Sequence, residues 1–154
     1  MPSDPDLLEL VNAGSRWVPY NAALGLIAEE AAPEGCTVLL PYREDLIGNP
    51  ETGVIHGGAI TALLDAACGL AVVLRQGNPS RVATLDLRID YLKPATPPKG
   101  VRARAECYKL TRNVAFVRAS AYHEDPKDPV ASAAGAFMVF EDKQSALVQT
   151  LEKP

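Results

Sequence analysis

A chain of 154 residues with 47% hydrophobic and 22% charged residues is long enough for one domain with a sizeable core, and it is ordinary for a soluble globular protein. Its net charge of −4 comes with no basic tract, so nothing in it would neutralise a run of nucleic-acid phosphates. Three cysteines without C-x-x-C spacing and only two histidines speak against a disulfide framework or a metal site.

Residues 1–14 are acidic and lack a basic stretch followed by an apolar one, so no signal peptide and a cytoplasmic location are expected. Leu7, Leu8, Leu10 and Val11 fall at helical spacing and predict a short leading helix. Two apolar stretches, 23–31 and 36–42, flank Pro33-Glu34-Gly35 and suit a hairpin. Residues 43–52, with Gly48-Asn49-Pro50, read as a loop.

From 57 to 75 the pattern is helical, with Ile60, Leu63, Leu64, Ala67, Ala71 and Leu74 on one stripe and Ala59, Ala62, Ala66 and Gly69 on the opposite side. Gly77-Asn78-Pro79 stops it. A helix apolar nearly all round is a buried one. Its length approaches a membrane span, but three glycines and Asp65 interrupt it and no second span follows, so no membrane association is expected. Between Ile55 and Leu74 Asp65 is the sole charge, and burying a lone carboxylate is costly unless it is partnered or does chemistry. Asp65 is therefore the first candidate functional residue.

The remainder reads as strand. Ala83, Leu85, Leu87, Ile89 and Tyr91 alternate with Thr84, Asp86, Arg88 and Asp90, and Pro94 ends the run. Residues 101–110 alternate with Arg102, Arg104 and Glu106 on the wet face, and 114–123 pairs with them through a turn at Arg112-Asn113. Residues 130–140 are apolar on both faces and predict a central, fully covered strand. One apolar helix among so many strands implies an α+β domain whose antiparallel sheet wraps that helix.

This order, with Asn49-Pro50, His56-Gly57-Gly58, Asp65 and the later Tyr91-Leu92-Lys93-Pro94-Ala95, resembles the hot-dog fold, and within it the phenylacetate-degradation-type acyl-CoA thioesterases. The resemblance spans 23–141 and implies a single hot-dog domain over 1–154, with 1–22 as a helical extension. It further implies that Gly57 donates its backbone N–H to the thioester carbonyl and that Asn49 helps bind that carbonyl or the attacking water. Asp65 would be general base or nucleophile, and Thr84 would steady the water. CoA enters as part of the acyl-CoA substrate, with no separate cofactor. Basic residues vary across the family; Lys93, Arg112 and Lys109 at strand ends, together with Gly58, are candidates for CoA contact.

Physics supports these roles. A thioester carbonyl becomes an oxyanion as water adds, and the first N–H groups of a helix are unpaired and carry about half a positive charge from the dipole. Gly57 stands there without a side chain to block a ligand. The bland alternatives are that Gly57 and Gly58 only permit tight packing, and that Asp65 pairs with Arg88 or Arg118. His56 at the helix mouth is disfavoured as a cation by the dipole, so a structural or substrate-orienting role is expected before proton transfer. His123 reads as surface. Cys68 reads as core, and no G-x-S-x-G is present for serine chemistry.

Competing readings are weaker. A hydratase-type D-x-N-P-x-H motif would need acid–base residues where Ile47 and Thr52 stand. A non-catalytic acyl-CoA-binding protein would keep the pocket but has no need of Asp65 with Asn49. Finally, Gly57 and Asp65 lie eight residues apart, about 12 Å along one helix axis, too far to act on one carbonyl. A homodimer with two antiparallel helices and shared active sites is expected, and the resemblance implies a dimer of dimers.

Overall fold

The computed structural model describes residues 5–77 and 81–140. Two helices, α1 (Pro5–Trp17) and α2 (Pro19–Leu24), lead into the hairpin β1 (Ile27–Ala32) and β2 (Gly35–Leu40). A 3-10 turn at Glu44–Leu46 precedes β3 (Ile47–Asn49) and β4 (Val54–Ile55), and the long helix α3 (Gly57–Gln76) follows. Four strands complete the domain: β5 (Val82–Tyr91), β6 (Val101–Leu110), β7 (Val114–Tyr122) and β8 (Ala131–Val139). The main sheet is antiparallel throughout, in the order β1-β2-β6-β7-β8-β5.

The helix lies against the sheet for a reason visible in the side chains. Ala103, Ala105, Ala115, Ala119, Ala121 and Ala133 are all buried on the sheet, small enough to let a helix approach closely. Into that bed α3 sets Ile60, Leu63, Leu64, Ala67, Ala71 and Leu74, the stripe expected from spacing. Leu63, Leu64 and Val72 are fully buried with Val101 and Val117 of the sheet. Burial of one such side chain stabilises by about 1.5–3 kcal/mol. Gly77 ends the helix in the left-handed region at φ 68°, its N–H bonded to Val73 and Leu74 carbonyls; Asn78 and Pro79 lie outside the described residues.

Several expectations need correction. The leading helix runs on to Trp17, and the apolar stretch beginning at Ala23 opens as the end of α2 before its strand starts at Ile27. Residues 43–52 are not simply loop, because β3 pairs with β4 in a second, two-stranded sheet. The strand from Ala131 is not covered on both faces: it sits between β7 and the edge strand β5, with Ala134 exposed. Nor is α3 buried all round. Its Thr61 is exposed, while Ala62, Asp65, Ala66 and Gly69 are half-buried along a side that the sheet leaves open.

The two edges of the main sheet differ. At β1 the side chain of Asn12, from α1, accepts the Ala28 N–H at 2.9 Å and donates to the Ala28 carbonyl at 3.0 Å, taking the place of a neighbouring strand. Next to it the ladder slips at Glu29. The other edge, β5, runs ten residues and, among the described residues, pairs only with β8.

Candidate active site

The mouth of α3 is built around His56. Its backbone is extended at φ −61° and ψ 133°, which makes it the residue before the helix, and its Nδ1 accepts the Gly58 N–H at 2.8 Å. A Cβ on Gly58 would lie 2.9 Å from that nitrogen, so glycine here is a requirement of the cap. The amide of Gly58 is thus taken by the imidazole. The His56 carbonyl accepts the Ala59 N–H at 2.9 Å. Gly57 is the first helical residue, and a helix of this geometry has no internal acceptor for its N–H.

The opening turn is fixed from several sides. Leu46 O accepts the His56 N–H at 2.8 Å, and Ala95 O accepts the Ile55 N–H at 3.0 Å. Gly48 lies directly behind His56, for a Cβ there would meet His56 Cα at 2.9 Å. The Tyr91 hydroxyl donates to the Gly57 carbonyl at 2.8 Å and lies 2.6 Å from the Thr61 hydroxyl, which donates to the same carbonyl at 3.1 Å. A side chain on Gly57 would point at the Tyr91 ring, 3.4 Å away. The space that glycine leaves is therefore Tyr91's, not a ligand's.

Two turns further along α3, Asp65 Oδ1 accepts the Thr84 hydroxyl at 2.8 Å. Neither expected alternative partner is involved: Arg88 pairs with Asp90, and Arg118 pairs with Glu106. Thr84 reaches Asp65 because of a bulge. In β5, Thr84 faces Phe137 and Asp86 faces Ala136, leaving Leu85 as an extra residue. Strict alternation groups Thr84 with Asp86 and Arg88; the bulge turns it to the helix instead. Asn49 does not join this pair. Its Oδ1 accepts the Glu51 N–H at 2.9 Å, closing the turn into β4 and leaving its NH2 as the side-chain group free to donate.

The model of the Thioesterase superfamily matches residues 52–130, from the turn before β4 through α3 to the end of β7 and beyond. The chain belongs to the thioesterase superfamily. Over 138 residues it is 32% identical to the Escherichia coli K12 protein named medium/long-chain acyl-CoA thioesterase YigI, covering 79% of this chain and 86% of that one. Among solved structures, a Pseudomonas aeruginosa protein aligns with a TM-score of 0.78 at 48% identity, over 86% of this chain and 98% of its own. A variant of the phenylacetic acid degradation protein PaaI from Thermus thermophilus aligns with a TM-score of 0.69 at 30% identity, over 79% and 99%. The hot-dog fold, the family read from the H-G-G string and the thioester hydrolase class are borne out.

Elsewhere in this thioesterase the candidates scatter. Lys93 pairs with Asp128 beyond β5, and Arg112 is exposed in the turn between β6 and β7. His123 is not a loose surface group: its Nε2 accepts the Thr96 N–H at 3.1 Å and its Nδ1 lies 2.8 Å from the Gly100 carbonyl, tying down the segment after β5. Burial, and then the Asp65 charge, push the Cys68 thiol up to about 12, so it stays protonated and unreactive. Tyr91 and Thr61 were missed as site residues. The signal for Tyr91 lies in the Y-L-K-P-A string, which carries the family resemblance and ends a strand but gives Tyr91 no role of its own.

Proposed function

We propose that this thioesterase hydrolyses acyl-CoA to CoA and a free acid, with Asp65 as general base and the Gly57 N–H as oxyanion donor. The observation that carries the reading is the 2.8 Å bond from Thr84 to Asp65, which fixes the one carboxylate of α3 on the side of the helix that the sheet leaves open. Thr84 occupies Oδ1, so Oδ2 is the oxygen that accepts the proton of the attacking water. As the water oxygen bonds to the carbonyl carbon, the Gly57 N–H receives the developing oxyanion; collapse then breaks the C–S bond, and the departing thiolate takes the proton that Asp65 accepted, restoring the carboxylate. Asn49, through its NH2, helps hold the carbonyl or the water, and His56 keeps the helix mouth in shape. Lys93 and Arg112 remain candidates for the CoA phosphates.

The family resemblance fits a small or medium acyl group, aryl included, while the relative YigI is named for medium and long chains. The overlap, medium-length acyl-CoA, is the proposed substrate class. A panel of acyl-CoA thioesters assayed with a chromogenic thiol reagent tests this. Thiol release peaking at medium chains, and unchanged by EDTA, is expected. Tight acyl-CoA binding with no thiol release would establish a non-catalytic binding protein instead. Loss of activity on EDTA, restored by zinc, would overturn the metal-free reading.

In this reading the working unit is a cytoplasmic homodimer, doubling into a dimer of dimers, with each site shared between two chains. Within one chain Thr84 anchors Asp65 while Tyr91 anchors Gly57, about 12 Å apart along α3. The unpaired edge of β5 and the small-residue side of α3 support a two-fold pairing that sets Gly57 of one chain beside Asp65 of the other. Mixing an Asp65→Asn chain with a Gly57→Pro chain tests it. A hybrid dimer then holds one intact site and one doubly broken site. Random exchange should restore about a quarter of wild-type activity, half the dimers being hybrids with one site in two. No recovery, with exchange demonstrated by native mass spectrometry, would mean that each chain builds its own site.

A further inference from the structure

We infer that Gly135, in β8, is a positioning residue for Thr84: it admits the Leu85 bulge that turns the Thr84 hydroxyl toward Asp65. The inference rests on the catalytic reading of Asp65 given above and extends it to a residue on a different strand.

Three observations meet at this point. First, β5 presents its side chains to α3 in two different phases. Tyr91 reaches Gly57 on α3, and Leu87 and Ile89 pack against the core, which is one alternating set. Thr84 reaches Asp65, and Val82 approaches Gly69, which is the other set. An unbroken strand cannot satisfy both, since side chains alternate with period two. Continued from Tyr91, the alternation would turn Leu85 toward Asp65 and Thr84 away from it.

Second, the change of phase is made at Leu85, where two residues of β5 stand against one step of β8. Leu85 itself is 54% exposed. A bulge of this kind re-aims the side chains beside it.

Third, Gly135 pairs with Leu87, beside the bulge, and a Cβ built on it would lie 2.5 Å from the Asp86 carbonyl oxygen and 3.0 Å from Leu87 Cδ1. The nearest clash is with backbone, so no change of rotamer relieves it; β5 would have to move. Glycine is not needed here for its backbone freedom, because Gly135 has no positive φ. What β8 supplies at this position is space for the displaced carbonyl. The neighbours Ala133 and Phe137 are buried, and Phe137 reaches toward Gly69 of α3, so Gly135 stands in the set that faces the helix, the side on which Thr84 and Asp65 meet.

The test is a double-mutant cycle in kcat, with KM and thermal midpoint followed in parallel. Gly135→Ala should lower kcat by the same factor as Thr84→Ala, leave KM nearly unchanged, and add nothing in the Thr84→Ala background. Losses that multiply in the double variant, or full kcat in Gly135→Ala where Thr84→Ala is impaired, would overturn the coupling. A merely structural glycine would lower the thermal midpoint and leave kcat per folded molecule intact. A crystal structure of Gly135→Ala separates this inference from the catalytic one. If the 2.8 Å contact between Thr84 and Asp65 survives there, Gly135 does not position Thr84, whatever the rates. If the contact is lost while Thr84→Ala and Gly135→Ala both turn over at wild-type rate, the positioning stands and the catalytic role of the pair falls. Should Gly135→Ala fail to fold, deletion of Leu85 makes the second variant. Removing the extra residue leaves Thr84 and Leu87 in one phase of a regular ladder, so Ala at 135 should fold in that background. Failure to fold there too would show that Gly135 serves something other than the bulge.

Discussion

Asp65→Asn is expected to reduce kcat by about 10²–10⁴-fold, the range that a positioned general base contributes. Asn has the size of Asp and can still accept the Thr84 hydroxyl through its carbonyl oxygen, so fold and contact are retained and basicity alone is removed. KM for acyl-CoA should change little, because Asp65 acts on the water rather than on the bound thioester. Retention of more than about a tenth of wild-type turnover, a difference of only ~1.4 kcal/mol in barrier, would exclude Asp65 as the base. Thr84→Ala removes one hydrogen bond to a carboxylate and should cost about ten- to a hundredfold. Asn49→Ala should be similarly mild. A ranking with Asn49→Ala below Asp65→Asn would transfer the leading role to the carboxamide.

Gly57→Pro should lower kcat by about 10²–10³-fold, while Gly57→Ala should keep most of it. The comparison isolates a single hydrogen. Proline is well suited to the first position of a helix, where its fixed φ matches and its missing N–H has no internal acceptor to lose. His56 before it already has the extended backbone, φ −61° and ψ 133°, that a following proline demands. Either substitution puts the same Cβ against the Tyr91 ring at ordinary contact distance, so packing is matched between them. Only proline deletes the N–H, and one oxyanion donor contributes about 2.7–4 kcal/mol to the barrier. Equal activity of the two variants would remove Gly57 from the oxyanion site. Equal inactivation would point to crowding at Tyr91 rather than to the lost donor.

The helix and its partners were legible because their signals are periodic. The stripe from Ile60 to Leu74, the alternation of β6 and the stop at Gly77 each follow from spacing or backbone geometry over several residues. The H-G-G string located the helix mouth, and the isolation of Asp65 among apolar residues marked the other end of the site. What stayed hidden has no period. β3 and β4 are three and two residues long, too short for an alternation to show, and Gly48-Asn49-Pro50 carries the composition of a loop. The bulge at Leu85 breaks a pattern that reads as perfect in the sequence, so alternation alone groups Thr84 with Asp86 and Arg88 and gives no sign of its turn toward the helix. The small side chains of β8 read as covered on both faces; Ala131, Ala133, Phe137 and Val139 are buried, whereas Ala134 on the opposite face is exposed. Tyr91 was invisible as a clamp because its partner is the Gly57 carbonyl, and backbone acceptors leave no trace in composition.

The unequal edges of the main sheet set how many neighbours it can accept. Among the described residues Asn12 stoppers β1 at Ala28 and β5 meets no strand but β8, so in the proposed pairing the sheet would have a valence of one. A unit of valence two would pass strands on from copy to copy without end, as fibrils do. A unit of valence one is exhausted by its first partner, and the joined sheet then presents a stoppered strand at both of its outer margins. In the proposed pairing a single carboxamide from a surface helix would separate a finite pair from an open-ended polymer.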